Sequence, residues 1–231
     1  NLKFVGFPVD ELLMQAMMTK DETELSAIAE MGKITVEVVD RTANFLTNHY
    51  VRNDLLMKAD GSPLLIKDVK SKIDLWLAEL GAANPEATIF AIGRDAGVPH
   101  SVGTPDDVLA VGKTIVYDIF PCQAGGGYFY DFTRTWCLGY APDDVVKLYE
   151  DVKIAFDTIV SELKVNEPFS AYQNRTCEIF KKQGHATIAQ NPAMEEGYVH
   201  SIGHGVGLHI HEKPFSGANT TSTDCLFPGC V

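Results

Sequence analysis

The strongest constraint on how this chain can fold is an order of segments that occurs twice. Thr19 with Glu22 forms a capping-box pattern, and after it Leu25, Ile28, Ile34, Val38, Val39 and Leu46 keep helical spacing to about Asn48. Ser62 and Pro63 open a second predicted helix carrying Leu65, Val69, Ile73, Leu77 and Leu80, ended by Gly81. A strand at ATIFAIG (87–93) and a hairpin at 113–136 follow. The order then restarts, with a helix after Pro142 through about Leu163, another from Ser170 to Gln183 ended by Gly184, and an extended region. Two helices and then strands, twice, predict a duplicated half. The first copy takes about 120 residues and the second about 90, so the second is short by roughly one hairpin.

The hairpin carries the first chemistry. KTIVYDIFPCQAGGGYFYDFTRTW (113–136) has two runs of β-branched and aromatic residues around a Gly-rich turn. Pairing that is symmetric about Ala124 and Gly125 sets Asp118 directly opposite Asp131, with Cβ atoms about 5 Å apart on one face. Two such carboxylates repel unless one is protonated, a base intervenes or a cation sits between them. Val116, Ile119, Phe120, Phe129, Tyr130 and Phe132 are apolar on both faces, so the hairpin is expected to be buried. A buried acidic pair points to a hard divalent ion. A solvated pair, or a bulge that separates the two, is the plain alternative.

HSIGHGVGLHIHEKP (200–214) carries the second. His200 and His204 have the four-residue spacing of zinc-peptidase helices, but Gly203, Gly205 and Gly207 oppose a helix and no HExxH order is present. In an extended chain the two histidines still share a face, and the glycines let the backbone bend or approach a ligand closely. GHGVG is not a phosphate-cradling GxGxxG. His209 and His211 alternate with Leu208 and Ile210, and Glu212 and Pro214 end the run.

DIF with DFTRT, followed by HSIGHGVGLHIHEKP, resembles the pita-bread metallopeptidases, a group that includes methionine aminopeptidase, prolidase and Xaa-Pro aminopeptidase. The likeness runs from about residue 20 to the last residue. It implies an α+β pita-bread fold of two pseudo-symmetric halves, each with helices packed on a curved, mainly antiparallel sheet, with the C-terminal hairpin missing. It further implies two divalent metal ions, Mn²⁺ or Co²⁺ with Zn²⁺ or Fe²⁺ as alternatives, held in part by Asp118, Asp131 and His204. His211 matches the imidazole that stabilises the tetrahedral intermediate, and His100, in GVPHS, matches an outer-wall histidine near the substrate amine. His200 matches a histidine of the proline-directed branch. The implied reaction is hydrolysis of the N-terminal peptide bond of a peptide substrate, before proline, by a hydroxide bridging two metals. The family's other two ligands are glutamates on strands after the Pro-Gly turn, and this chain stops at Phe227-Pro228-Gly229-Cys230-Val231. Three ligands of five are therefore expected here, in an incomplete catalytic domain at 19–231 that is inactive alone. Residues 1–18 are expected to end a preceding segment or linker. Methionine aminopeptidase, a creatinase-like hydrolase that works without metal and a binding module that has lost catalysis all stay open.

Composition sets the outer limits. A chain of 231 residues, 45% hydrophobic, has enough apolar surface for a full core. A net charge of −12 opposes nucleic acid and anionic membrane surfaces as partners. Five cysteines with no CxxC pair read as reduced thiols, and with no secretory signal in view the expected compartment is cytoplasmic. No stretch reaches the roughly 20 apolar residues a membrane span needs. Homo-oligomerisation stays open.

Overall fold

A short helix, α1 (Glu11–Met17), precedes the long α2 (Glu22–Thr47). Asp21, rather than Thr19, caps α2: its Oδ1 accepts the N–H groups of Thr23 and Glu24, and Glu24 returns a bond to the Asp21 N–H. The box is thus shifted two residues from the Thr19–Glu22 pair. The computed structural model describes residues 11–217 and 224–231, so residues 1–10, most of the expected upstream segment, lie outside the described residues. The chain divides into a central unit, Ser26–Val146, and a terminal unit made of the residues up to Leu25 with Lys147–Val231.

In the central unit, α2 is followed by β1 (Tyr50–Arg52) and β2 (Leu55–Met57), a hairpin absent from the sequence expectations. Asn53 and Asp54 turn it with φ of 52° and 62°, the left-handed pair that a two-residue turn requires. Helix α3 (Ile66–Glu79) starts later than Ser62-Pro63, because Asp68 reaches back to the Leu65 N–H and fixes the first turn there. Then come β3 (Ala82–Ala83), β4 (Ile89–Ile92), β5 (Thr114–Ile119), β6 (Cys122–Gln123) and β7 (Phe132–Cys137). Strands β4, β5 and β7 form an antiparallel sheet in that order. Ile115, Tyr117 and Ile119 of β5 are buried and alternate with partly exposed neighbours, so one face of the sheet meets the helices and the other is open. This corrects the expectation of a hairpin buried on both faces. Ile66, Val69, Ile73 and Leu77 of α3 are fully buried in the core, worth roughly 1.5–3 kcal/mol each. Tyr117 sits edge-on to Phe90 and Trp136, its hydroxyl 3.4 Å from Thr42 Oγ1 of α2, and burial pushes its phenol pKa up.

The terminal unit contains α4 (Asp143–Glu162) from Lys147 onward, α5 (Phe169–Lys182), β8 (His204–Gly205) and β9 (Glu212–Phe215). Its core joins Ala155 and Ile159 to Tyr172, Ile179 and Phe180, with Tyr198 and Ile202 against them. The backbone turns left-handed at Gly184 (φ 93°), just after α5, which is where the sequence ends that helix. Pro214 lies inside β9, which runs antiparallel to β8 across an irregular register. Among the described residues no helix is long and apolar enough to cross a membrane.

Candidate functional site

The two aspartates belong to the central unit. The ladder pairs Asp118 with Thr133 and Ile119 with Phe132, and Cys122 bridges Phe129. Asp131 therefore falls opposite Phe120, and the turn centre lies between Gly125 and Gly126, not Ala124 and Gly125. Asp118 and Asp131 do not face each other directly. The shift is two residues, an even number, so both carboxylates keep the same face as diagonal neighbours, which stand about 7–8 Å apart at Cα. Both are partly exposed. The Thr133 hydroxyl donates a hydrogen bond to Asp118 Oδ1. In the same unit His100 is exposed in a left-handed conformation (φ 60°), on a loop held from beneath. Lys70 Nζ bonds the Val102 carbonyl at 3.1 Å, and a Cβ at Gly103 would lie 2.1 Å from the Phe90 oxygen, so that close approach requires glycine.

The histidine run belongs to the terminal unit. His204 lies on β8 opposite Phe215, and its Nδ1 stands 2.9 Å from the Gly205 carbonyl. A carbonyl only accepts, so Nδ1 donates here, and an imidazole that ligates through Nε2 would keep this bond. His200 makes the same arrangement with the Ser201 carbonyl, at 2.9 Å. His211, exposed at the head of β9, brings its ring centroid to 4.3 Å from that of His204. The glycines approach protein rather than ligand. A Cβ at Gly205 would stand 2.1 Å from the Lys213 oxygen, and one at Gly207 would stand 2.4 Å from Glu212 Oε2.

Sequence reasoning missed the residues that hold this run. Gln173 of α5, 1% exposed, donates from Nε2 to the His200 carbonyl at 3.1 Å. Its Oε1 accepts the Ile202 N–H at 2.7 Å and the Tyr198 hydroxyl at 3.2 Å. Ser216 ties Gly203 through both its N–H and its hydroxyl. Lys20 and Glu212 form an ion pair at 2.8 Å with side chains 1% and 0% exposed. The glycines of GHGVG were the available signal that something crowds this backbone; nothing local names the partners. Cys122 is buried, and burial raises its thiol pKa.

Carboxylate and imidazole side chains are the donor types that divalent ions take. Among the described residues no three His, Cys, Asp or Glu side chains form a group that could hold a metal ion. The donor types present suit a divalent ion.

Comparison with known proteins supplies the family. A probable dipeptidase PepE of Mycobacterium tuberculosis is 26% identical over 209 residues, covering 89% of this chain and 48% of that protein. A Xaa-Pro dipeptidase of Pyrococcus furiosus is 30% identical over 149 residues, covering 64% of this chain and 39% of its own length. The chain thus spans about half the length, or less, of these curated relatives. The solved prolidase from Pyrococcus furiosus superimposes with a TM-score of 0.75 at 23% identity, over 96% of this chain and 58% of that one. An X-Pro aminopeptidase from Thermotoga maritima gives 0.69 at 22%, over 96% and 55%. The fold is the pita-bread fold of these neighbours. The profile of Metallopeptidase family M24 matches residues 26–231, and the chain belongs to that family.

Proposed function

We propose that the protein containing this chain is a metal-dependent aminopeptidase that hydrolyses the first peptide bond of peptides with proline in the second position. Asp118, Asp131 and His204 hold the metal. A divalent pair bound there supplies a Lewis acid for the scissile carbonyl and lowers the pKa of water. His211 donates an imidazole N–H to the oxygen on which charge develops, while His200 and His100 line the peptide's path. The observation that carries this reading is the pairing of His204 with His211: one imidazole bonded through Nδ1 to the Gly205 carbonyl, the other with its ring centroid 4.3 Å away, just ahead of β9. The preference for proline rests on His200 and on relatives described as Xaa-Pro dipeptidase and prolidase. Mixed carboxylate and imidazole donors suit Mn²⁺, Co²⁺, Fe²⁺ or Zn²⁺.

The test uses the protein as its gene encodes it, stripped with chelator and reloaded with Mn²⁺ or Co²⁺. Release of the N-terminal residue from Xaa-Pro peptides, dependent on metal, is expected, with Asp131→Asn lowering bound metal by elemental analysis. Faster release from Met-Ala peptides would reassign the substrate to the methionine branch. Cleavage that survives chelation would point to a metal-free hydrolase, and peptide binding without turnover to a binding module.

A further inference from the structure

We propose that the buried Lys20–Glu212 ion pair is the positioning device for His211, acting through the turn at residues 207–212; the proposal rests on the role given to His211 above. Glu212 uses both carboxylate oxygens. Oε2 receives Lys20 Nζ at 2.8 Å, and Oε1 accepts the His209 N–H at 2.8 Å. The Gly207 N–H closes the same turn on the His209 carbonyl at 3.1 Å. A Cβ at Gly207 would sit 2.4 Å from Glu212 Oε2 and 2.8 Å from Lys20 Cε, so the turn is drawn in as far as a glycine permits.

Lys20 is itself fixed from two further sides. Its Nζ donates to the Met17 carbonyl at 2.7 Å, its N–H donates to the Gly229 carbonyl at 2.8 Å, and the preceding Thr19 bridges Cys230. The pair therefore joins three stretches distant in sequence: the end of α1, the histidine turn and the Pro228-Gly229 turn. Its consequence for His211 follows from the burial pattern of the turn. Ile210 and Glu212 are buried and His211 between them is exposed. With Glu212 held inward at 0% exposure, His211 is turned outward, where its ring meets His204. An apolar residue at 212 would be buried as readily but would slide along the contact, whereas a carboxylate bonded at both oxygens fixes direction and register. Desolvating two charges is costly, and apolar pairs of similar volume are often as stable or more so. Stability alone does not account for a lysine and a glutamate here; the fixing of a direction does.

The test compares Lys20→Met, Glu212→Gln and the neutral pair Lys20→Met/Glu212→Leu with a destabilised control, Ile159→Val, in the terminal core. All are made in the protein as its gene encodes it and loaded with Mn²⁺. Each single variant is expected to keep its metal content and to lose kcat by roughly 10- to 100-fold with KM changed far less. The neutral pair is expected to recover the melting temperature but not kcat. Recovery of both, or a kcat that falls only in proportion to the melting temperature as in Ile159→Val, would overturn the proposal and leave the pair a structural one. Imidazole NMR separates this from failure of the peptidase reading. Even if the parent cleaves no peptide, the single variants should move the His211 ring resonances and weaken the His204–His211 cross-relaxation, while Ile159→Val should not. Unmoved resonances would sink the positioning role independently of activity.

Discussion

Replacing Gln173 by methionine tests whether hydrogen bonds from one buried amide hold the histidine segment in place. The side chain is 1% exposed and makes three bonds, to the His200 carbonyl, the Ile202 N–H and the Tyr198 hydroxyl. Methionine keeps the unbranched shape and nearly the volume, so cavity and strain costs stay small. What is lost is hydrogen bonding, at about 1 kcal/mol net per bond, or roughly 3 kcal/mol in all. For a chain of this size that corresponds to a fall in melting temperature of roughly 6–12 °C. Hydrogen exchange at the Ile202 amide should accelerate as well, because its acceptor is gone. Gln173→Glu sharpens the test. The carboxylate keeps the acceptor for Ile202 and Tyr198 but turns a second acceptor toward the His200 carbonyl. That oxygen can be satisfied only if the new carboxyl is protonated, and burial also favours the protonated form, so its folded pKa lies above the unfolded value of about 4.3. A raised folded pKa means full stability below the unfolded value, lost as pH rises through the folded one. The Glu variant should therefore melt closer to the parent at about pH 4.5 than at about pH 8. A Met variant within about 2 °C of the parent, or a Glu variant with the parent's pH dependence, would refute the account.

Two further outcomes follow from the same packing. Gly205→Ala would place a Cβ 2.1 Å from the Lys213 oxygen and force β8 from β9, so it should cost about 2–3 kcal/mol, whereas Gly203→Ala meets only Phe169 Cζ at 3.5 Å and should change stability by less than about 1 kcal/mol; urea melts of the two variants compare them directly. Asp151 of α4 accepts bonds from His185 Nε2 and then Lys147, which hold its carboxyl below 3.8, so its stabilisation is present above the ordinary carboxylate range and lost as pH falls through the folded value. Urea midpoints below about pH 4 should fall less steeply in Asp151→Asn than in the parent, and equal slopes would remove Asp151 from the acid response.

The helices were legible because their apolar spacing is a local signal: Val69, Ile73 and Leu77 mark α3 in the sequence and are buried in the fold. The hairpin at 113–136 was legible as a hairpin, but its register was not. GGG offers three places to centre the turn, and the core decided among them by drawing Ile115, Tyr117 and Ile119 onto the helices. The decision moved the pairing by two, which leaves Asp118 and Asp131 on one face as diagonal neighbours. A shift of one would have carried Asp131 to the opposite face from Asp118 and ended the case for a shared ion, so the even register, more than the facing pair, supports the carboxylates acting together. The β1–β2 hairpin carried its own signal, Asn53-Asp54 between apolar residues, which the helical pattern before it and the Ser62-Pro63 start after it obscured.

The candidate site divides along the same line. The histidines declare themselves by type and number, since imidazoles among glycines have few uses. The residues that aim them do not, because in sequence they look like surface. Lys20 sits in Thr-Lys-Asp-Glu, Gln173 in Tyr-Gln-Asn-Arg and Glu212 before a lysine, all settings that composition assigns to solvent. Only the fold shows that Lys20 and Glu212, 192 residues apart, are buried against each other, and that Gln173 is the partner of three backbone and side-chain groups around His200. A buried polar residue is costly unless its partners are all in place, so each such residue marks a position where the fold constrains geometry more tightly than apolar packing would. Three of those residues hold the histidine run: Gln173 under His200, Ser216 under Gly203, and Glu212 beside His211. The apolar core would fold without them; the histidines would not then be aimed, and that asymmetry is the physical argument for reading the run as a site.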